Sequence, residues 1–268
     1  MVFKQTITEK WLAAGSSPVD WCEENYTVSS SIAEFTNSLS NVLTVIIPAY
    51  CIKNQLWRSY RKHISNGPQV ILYLTALIGI ASAYFHGTLS LFGQLLDEVW
   101  IIWVMCVAYA SLTADCYRPV IFRGSRANIV ALFLATFLTL MWFVAPYTNA
   151  FWMMTMGAPV YYFLYNECFV VKRKYSLSLV RLSLVLNILG ITFWVADRAM
   201  CNFWLSLGLP GLHNIWHLLC GVGSYLNLTV FAYLKAASDA PYLIPTIRYY
   251  PGDTWGLPYV HCKSKLPS

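Results

Sequence analysis

Apolar residues in this chain come in long unbroken runs, without the alternation of a half-buried strand or the narrow stripe of an amphipathic helix. After a polar arm spanning residues 1–31, seven such runs follow, at 32–52, 69–85, 92–112, 128–146, 150–171, 178–196 and 212–234. Each is roughly 17 to 24 residues long, enough to cross about 30 Å of hydrocarbon as a helix, the one open-chain form that satisfies its own backbone there. The pattern therefore predicts an all-α integral membrane protein with seven transmembrane helices in residues 32–235. Separating the fourth run from the fifth depends on Pro146-Tyr-Thr-Asn149, the only turn-like signal in what would otherwise be one helix of over about 40 residues. A tail, 236–268, contains Pro241, Pro245, Pro251, Pro258 and several tyrosines, and reads as an irregular strip ending in Lys265-Leu-Pro-Ser268, which is not a retention tetrapeptide. The opening residues hold Lys4 and Lys10 but no long apolar core before a small-residue site. They predict no cleaved signal peptide, so the first span targets the chain.

Composition agrees: 57% of the 268 residues are hydrophobic and 11% are charged, too apolar for a water-soluble domain of this length. The net charge of +6 would suit nucleic acid if it were gathered on one stripe. Instead it is divided between alternate loops, which points to topology and to no nucleic-acid partner. One side carries Lys53, Arg58, Arg61 and Lys62, then Arg118, Arg123 and Arg126, then Lys172, Arg173, Lys174 and Arg181, and finally Lys235, Arg248, Lys263 and Lys265. The other side carries Lys4, Lys10 and Arg198. Basic residues are retained in the cytosol, so the amino terminus is expected to be luminal or extracellular and the carboxyl terminus cytosolic.

Alternation of the spans then fixes a depth for each polar group. Ser82 and His86 lie near the outer end of the second span, Asp97 and Glu98 near the outer end of the third, and His213 and His217 near the outer end of the seventh. Glu34 opens the first span at the same level. His213 and His217, four residues apart, share a helix face. Three histidines are the protein ligands of a catalytic zinc that keeps its fourth position open. An H-x-x-x-H pair by itself can be two helical histidines bonding neighbours, and the third histidine and the aspartate at equal depth favour the metal.

Asp97 would cost about 2.5 to 3.5 kcal/mol in the bilayer without a partner or wet cavity. It reads either as a general base or as the ion-pair partner of Arg198. Ser82, one turn before His86, is placed to hydrogen-bond a developing oxyanion or to pack between helices. Glu98 points to another face and reads as a mouth residue. The arm gathers hard oxygen ligands at Asp20, Glu23 and Asn25, with Glu34 beyond; calcium and a solvated acidic arm are the two readings. Asn25-Tyr-Thr is also a glycosylation sequon, a use incompatible with metal ligation. Of the eight cysteines, Cys22 and Cys201 alone fall outside the membrane on the oxidising side, and they are expected to pair.

Taken together, Asp20-Trp-Cys-Glu-Glu-Asn-Tyr, Ala33-Glu34-Phe, Asn37-Ser-Leu-Ser-Asn41, Ser82-x-x-x-His86, Gly93-Gln-Leu-Leu-Asp97-Glu98, Asp197-Arg198 and His213-x-x-Trp-His217 resemble the alkaline ceramidases over nearly the whole chain, as far as Gly256-Leu-Pro-Tyr259. The resemblance implies a seven-helix membrane hydrolase that cleaves the amide of ceramide, entering from the bilayer, to sphingosine and a fatty acid. It implies zinc on His86, His213 and His217, proton handling by Asp97, and Ser82 at the carbonyl. It further implies calcium held by Asp20, the Trp21 carbonyl, Glu23, Asn25 and Glu34, which disfavours a glycan on Asn25, together with a Cys22–Cys201 disulfide and residence in the endoplasmic reticulum or Golgi membrane. The rival from another class is a seven-helix lipid or hormone receptor whose histidines form a closed structural metal site. A transporter fits less well, because repeated halves and paired interrupted helices are missing from the sequence.

Overall fold

The computed structural model describes residues 7–145, 148–171, 176–209 and 211–263. Pro146 and Tyr147 of the expected turn, Lys172, Arg173 and Lys174 of the third basic cluster, and Lys4 and Lys265 lie outside the described residues. Helices come in the order α1 (Ile7–Leu12), α2 (Phe35–Ser40), α3 (Val42–Lys53), α4 (Arg58–His63), α5 (Gly67–Thr88), α6 (Leu91–Leu112), α7 (Ser125–Val144), α8 (Asn149–Asn166), α9 (Leu177–Ala199), α10 (Cys201–Ser206) and α11 (His213–Asp239).

Among the described residues, six helices are long and apolar enough to cross a membrane: α2 and α3 taken together as Phe35–Lys53, then α5, α6, α7, α9 and α11. The fifth expected run, 150–171, maps onto α8 and the π-type turn Glu167–Val171. It falls short as a span because α8 carries Asn149, Thr155, Gly157, Pro159 and Asn166, and its extension begins with Glu167. Apolar side chains face outward, as in a bundle solvated by lipid: Phe133 and Val144 on α7 are 71% and 79% exposed. In water such a surface would drive aggregation, whereas against acyl chains it carries no such penalty.

A two-residue turn, Leu89-Ser90, joins α5 to α6 and sets the level of the polar residues on both. Leu89 takes a left-handed conformation (φ 47°), and its N–H bonds back to the Phe85 carbonyl at 2.6 Å. Ser90 then caps α6, its Oγ accepting from the Gly93 N–H at 3.1 Å. Any Cβ on Gly93 would come within 2.9 Å of the Phe85 backbone, so a glycine lets the two helices close here. The turn thus holds the end of α5, with His86, beside the start of α6, with Asp97.

The tail is a two-stranded antiparallel hairpin, not an irregular strip: β1 (Thr246–Pro251) pairs with β2 (Gly256–His261) in the register Thr246↔His261 to Pro251↔Gly256. Prolines argue against strands in sequence, yet Pro251 ends β1 and Pro258 lies within β2. Pro258 turns its carbonyl to the Tyr225 hydroxyl (2.7 Å) and to Thr229 Oγ1 (3.0 Å) on α11, and Val260 is fully buried in the largest apolar core.

Candidate functional site

Two helix ends supply the histidines. His86 ends α5, while His213 and His217 occupy the first turns of α11; all three are buried, and one nitrogen from each lies within 4.8 Å of the others. The unbonded nitrogens are His86 Nε2, His213 Nδ1 and His217 Nε2, each buried without a hydrogen-bond partner. Such orphaned groups carry a full desolvation penalty unless something unseen by the protein atoms satisfies them.

The opposite edges of two rings are pinned by proton bookkeeping. Ser40 donates its one hydroxyl proton to the Asn37 carbonyl at 2.8 Å, so its contact with His217 Nδ1, also 2.8 Å, is accepted from an Nδ1–H. That leaves His217 Nε2 as a bare lone pair. His86 Nδ1 meets Glu34 Oε2 at 2.5 Å, and a proton shared there leaves His86 Nε2 bare as well. The carboxylate–histidine arrangement is the one that orients metal-binding imidazoles. His213 is held by stacking, its ring 3.5 Å from the Trp21 centroid at 20°. The chemistry of this donor set, three neutral nitrogens aimed at one point, fits a zinc-like ion.

Backbone position is fixed from behind. Asp197 near the end of α9 is fully buried and accepts from Leu212 N (2.6 Å) and His213 N (3.2 Å) through Oδ1, and from Cys22 N (3.2 Å) through Oδ2. Its carboxylate therefore caps α11 and holds the arm. Gly211 (φ +90°) approaches so closely that a Cβ would stand 2.7 Å from Asp197 Oδ1. A disulfide joins Cys22 to Cys201 just beyond α9.

Of the remaining predicted residues, Asp97 lies beside the Ser82 hydroxyl. Both line a cavity of about 340 Å³ with His217. The cavity continues past Tyr161 and Asn227 to Tyr117 and Leu234 at the other end of the bundle. Asp97 forms no ion pair with Arg198 among the described residues; the guanidinium instead lies 5.1 Å from the Trp21 ring. Glu98 is not a free mouth residue. It accepts from Trp142 Nε1 and Asn149 Nδ2, each at 2.6 Å, and from Gln94 Nε2 at 2.9 Å, tying α6 to α7 and α8.

In the arm, Asn25 Nδ2 donates to both Asp20 oxygens (3.2 and 3.3 Å), and its Oδ1 is buried without a partner. Asp20 adjoins Glu34, and burial raises the Asp20 carboxyl above its usual range. Glu34 is fully buried and bridges the two places, with Oε1 on the Trp21 N–H (2.9 Å) and Oε2 on Asn37 Nδ2 (3.0 Å) and His86. Glu23 turns both oxygens to the first amides of α2, Thr36 N (2.6 Å) and Asn37 N (2.8 Å). Sequence reasoning gave no role to Ser40, Asn37, Gln94 or Asp197. The signal for the first two is a run of small polar residues, Asn37-Ser-Leu-Ser-Asn41, entering a membrane segment.

The family model described as Ceramidase matches residues 13–261. The chain is 36% identical over 260 residues to the alkaline ceramidase of Drosophila melanogaster, covering 94% of this chain and 90% of that protein. It is 34% identical over 252 residues to alkaline ceramidase 1 of Homo sapiens, with 92% and 95% covered, and 31% identical over 258 residues to the alkaline ceramidase of Caenorhabditis elegans, with 91% and 93% covered. With its histidine cluster opening on a cavity among membrane-length helices, the chain belongs to the ceramidase family of enzymes.

Proposed function

We propose that the protein is an intramembrane, zinc-dependent amidohydrolase that cleaves ceramide to sphingosine and a free fatty acid. The observation that carries this reading is that His217, beside the unbonded nitrogens of His86 and His213, opens on the same cavity as Ser82 and Asp97. A zinc ion held by these nitrogens would supply Lewis acidity and lower the pKa of a water. Asp97, at the start of α6, takes a proton from the attacking water, whose oxygen bonds to the amide carbon, and returns it to the amide nitrogen as the C–N bond breaks. The Ser82 hydroxyl donates to the carbonyl oxygen as negative charge gathers there. The apolar cavity below takes a lipid chain and excludes water from the site. Asp20, the Trp21 carbonyl, Glu23, Asn25 and Glu34 would hold a calcium ion in the arm; the buried, partnerless Asn25 Oδ1 next to Asp20 supports a hard cation there. A cation held there would steady His86 through Glu34, which contacts both places. The same reading counts α8 with its extension as a seventh crossing, and takes the amino terminus as luminal, the carboxyl terminus as cytosolic and the endoplasmic reticulum or Golgi membrane as the place of residence.

The test is sphingosine release from ceramide by purified protein, with metal content measured on the same samples. Wild type is expected to hold about one zinc per chain and to be active. His217→Ala should lose both, and Asp97→Ala should lose activity while keeping zinc. A metal-loaded protein that hydrolyses no ceramide would move the receptor reading to first place.

A further inference from the structure

At the end of the bundle remote from the histidines, α4 and the tail hairpin make one surface. Helix α4 carries Arg58, Arg61 and Lys62, all exposed, and follows the end of α3 after a short turn. The chain returns to it after the last span. Ser59 Oγ donates to the Cys262 carbonyl at 2.6 Å and accepts from Cys262 N at 3.0 Å, and Lys263 N bonds the Leu243 carbonyl at 2.8 Å. These clamps bring Arg248 and Lys263, both exposed, to the same place. His261 is lowered from its ordinary value by burial and then by Arg248, His63 and Lys263, so these cations share one field. The ion pairs among the described residues, His86–Glu34, Arg118–Asp115 and Lys235–Asp239, include none of them. Asp253, in the hairpin turn, is the one carboxylate between 246 and 263.

The surface sits at the height of lipid headgroups. Tyr50 lies on the exposed side of α3 one turn before its end, and the Tyr250 ring of β1 packs against it at 5.8 Å. The Tyr250 hydroxyl donates to Asn54 Oδ1 at 3.1 Å. Tyrosines at a span's end mark the boundary between hydrocarbon and headgroups. Retention of positive charge in loops explains Arg58, Arg61 and Lys62, which adjoin spans. It does not require a hairpin from beyond the last span to be clamped onto α4 and to add like charge there. That arrangement gathers like charge on one exposed face, which an anionic partner would neutralise.

We propose that Arg58, Arg61, Lys62, Arg248 and Lys263 form a binding surface for anionic phospholipid headgroups in the leaflet at this end of the bundle. Four to eight basic residues next to a membrane segment are the number that recognises phosphatidylserine or phosphoinositides. The surface is independent of the hydrolytic chemistry and serves to fix the lipid environment of the enzyme.

The experiment uses full-length protein in detergent micelles containing equal phosphatidylserine and phosphatidylcholine, with the retained lipids counted by native mass spectrometry. Wild type should retain phosphatidylserine in preference. Arg61→Gln/Arg248→Gln/Lys263→Gln should retain about tenfold less, since each charge contributes to the attraction. Arg123→Gln/Arg126→Gln/Arg181→Gln, which removes as many charges from the same end of the bundle, should behave as wild type. Retention by wild type, which needs no variant to fold, should fall as salt rises to about 0.5 M. Equal loss in both variants, unchanged retention in the first, or salt-insensitive retention would overturn the proposal. Displacement of the lipid by inorganic phosphate would overturn it in favour of a soluble anion.

Discussion

Removing the Asp197 carboxylate should weaken the fold and the histidine cluster together. The group is fully buried and receives three backbone N–H groups, from Cys22, Leu212 and His213. A hydrogen bond to a charged group contributes about 1.5 to 3 kcal/mol, and each donor left unsatisfied in the interior costs a similar amount. Asp197→Ala strands all three donors, so a loss of roughly 4 kcal/mol, the low end of the sum, is expected. For a chain of this size that is a fall of about 10 °C in Tm. Asp197→Asn keeps one acceptor but turns an amide N–H toward a backbone N–H on the other side, so its loss should be about half as large. The assay is thermal unfolding in detergent, with metal content after dialysis against a chelator, because the start of α11 carries His213. Cys22 remains tethered by its disulfide in both variants, so the arm stays nearby and the effect reports the cap itself. An alanine variant that melts within a degree or two of wild type and keeps its metal would refute the reasoning.

Glu34→Gln should lower metal retention about 10- to 100-fold, as expected for loss of a carboxylate that orients a ligating histidine; a chelator titration matching wild type would remove Glu34 from that role. Cys201→Ser opens a closure spanning 179 residues and should cost roughly 2 to 4 kcal/mol, read as a lower melting temperature that reducing agent does not lower further. A variant as stable as the oxidised wild type would contradict this. Glu98→Ala leaves Trp142 and Asn149 without their shared acceptor, so faster hydrogen exchange is expected in α7 and α8 near the histidine end, with a stability loss of about 2 kcal/mol. Unchanged exchange there would show that the two helices are held by packing alone.

Much of the site was legible because membrane topology converts sequence position into depth. His86 and Asp97 flank one short turn, whereas His213 and His217 come from the far end of the chain; alternation of seven spans expects all four at one level, and the structure brings the three histidines together. Depth says nothing about rotation around a helix axis. For this reason the partners of Glu98, on α7 and α8, and the place of Arg198 over Trp21 were not readable. Asp197 was visible as an acid at a helix end, yet its work is done on backbone amides, which leave no mark in a sequence. Ser40 was hidden for a related reason: its importance lies in where its single proton goes. The hairpin was missed because proline argues against strands wherever the free edges are unknown. The shortfall of α8 arises from its polar residues, which a count of apolar runs passes over.

The bond between Cys22 and Cys201 has a consequence for assembly. It forms only where thiols can be oxidised, and its two ends come from the arm and from the segment between α9 and α11. Trp21, one residue away, lies against His213, and Asp197 holds the Cys22 amide. With both thiols reduced, the arm would lose its covalent tie to the segment between α9 and α11 and be free to leave the histidines. Completion of the site is then coupled to oxidation of one cysteine pair, because the arm that this bond tethers carries the residues packed behind His213.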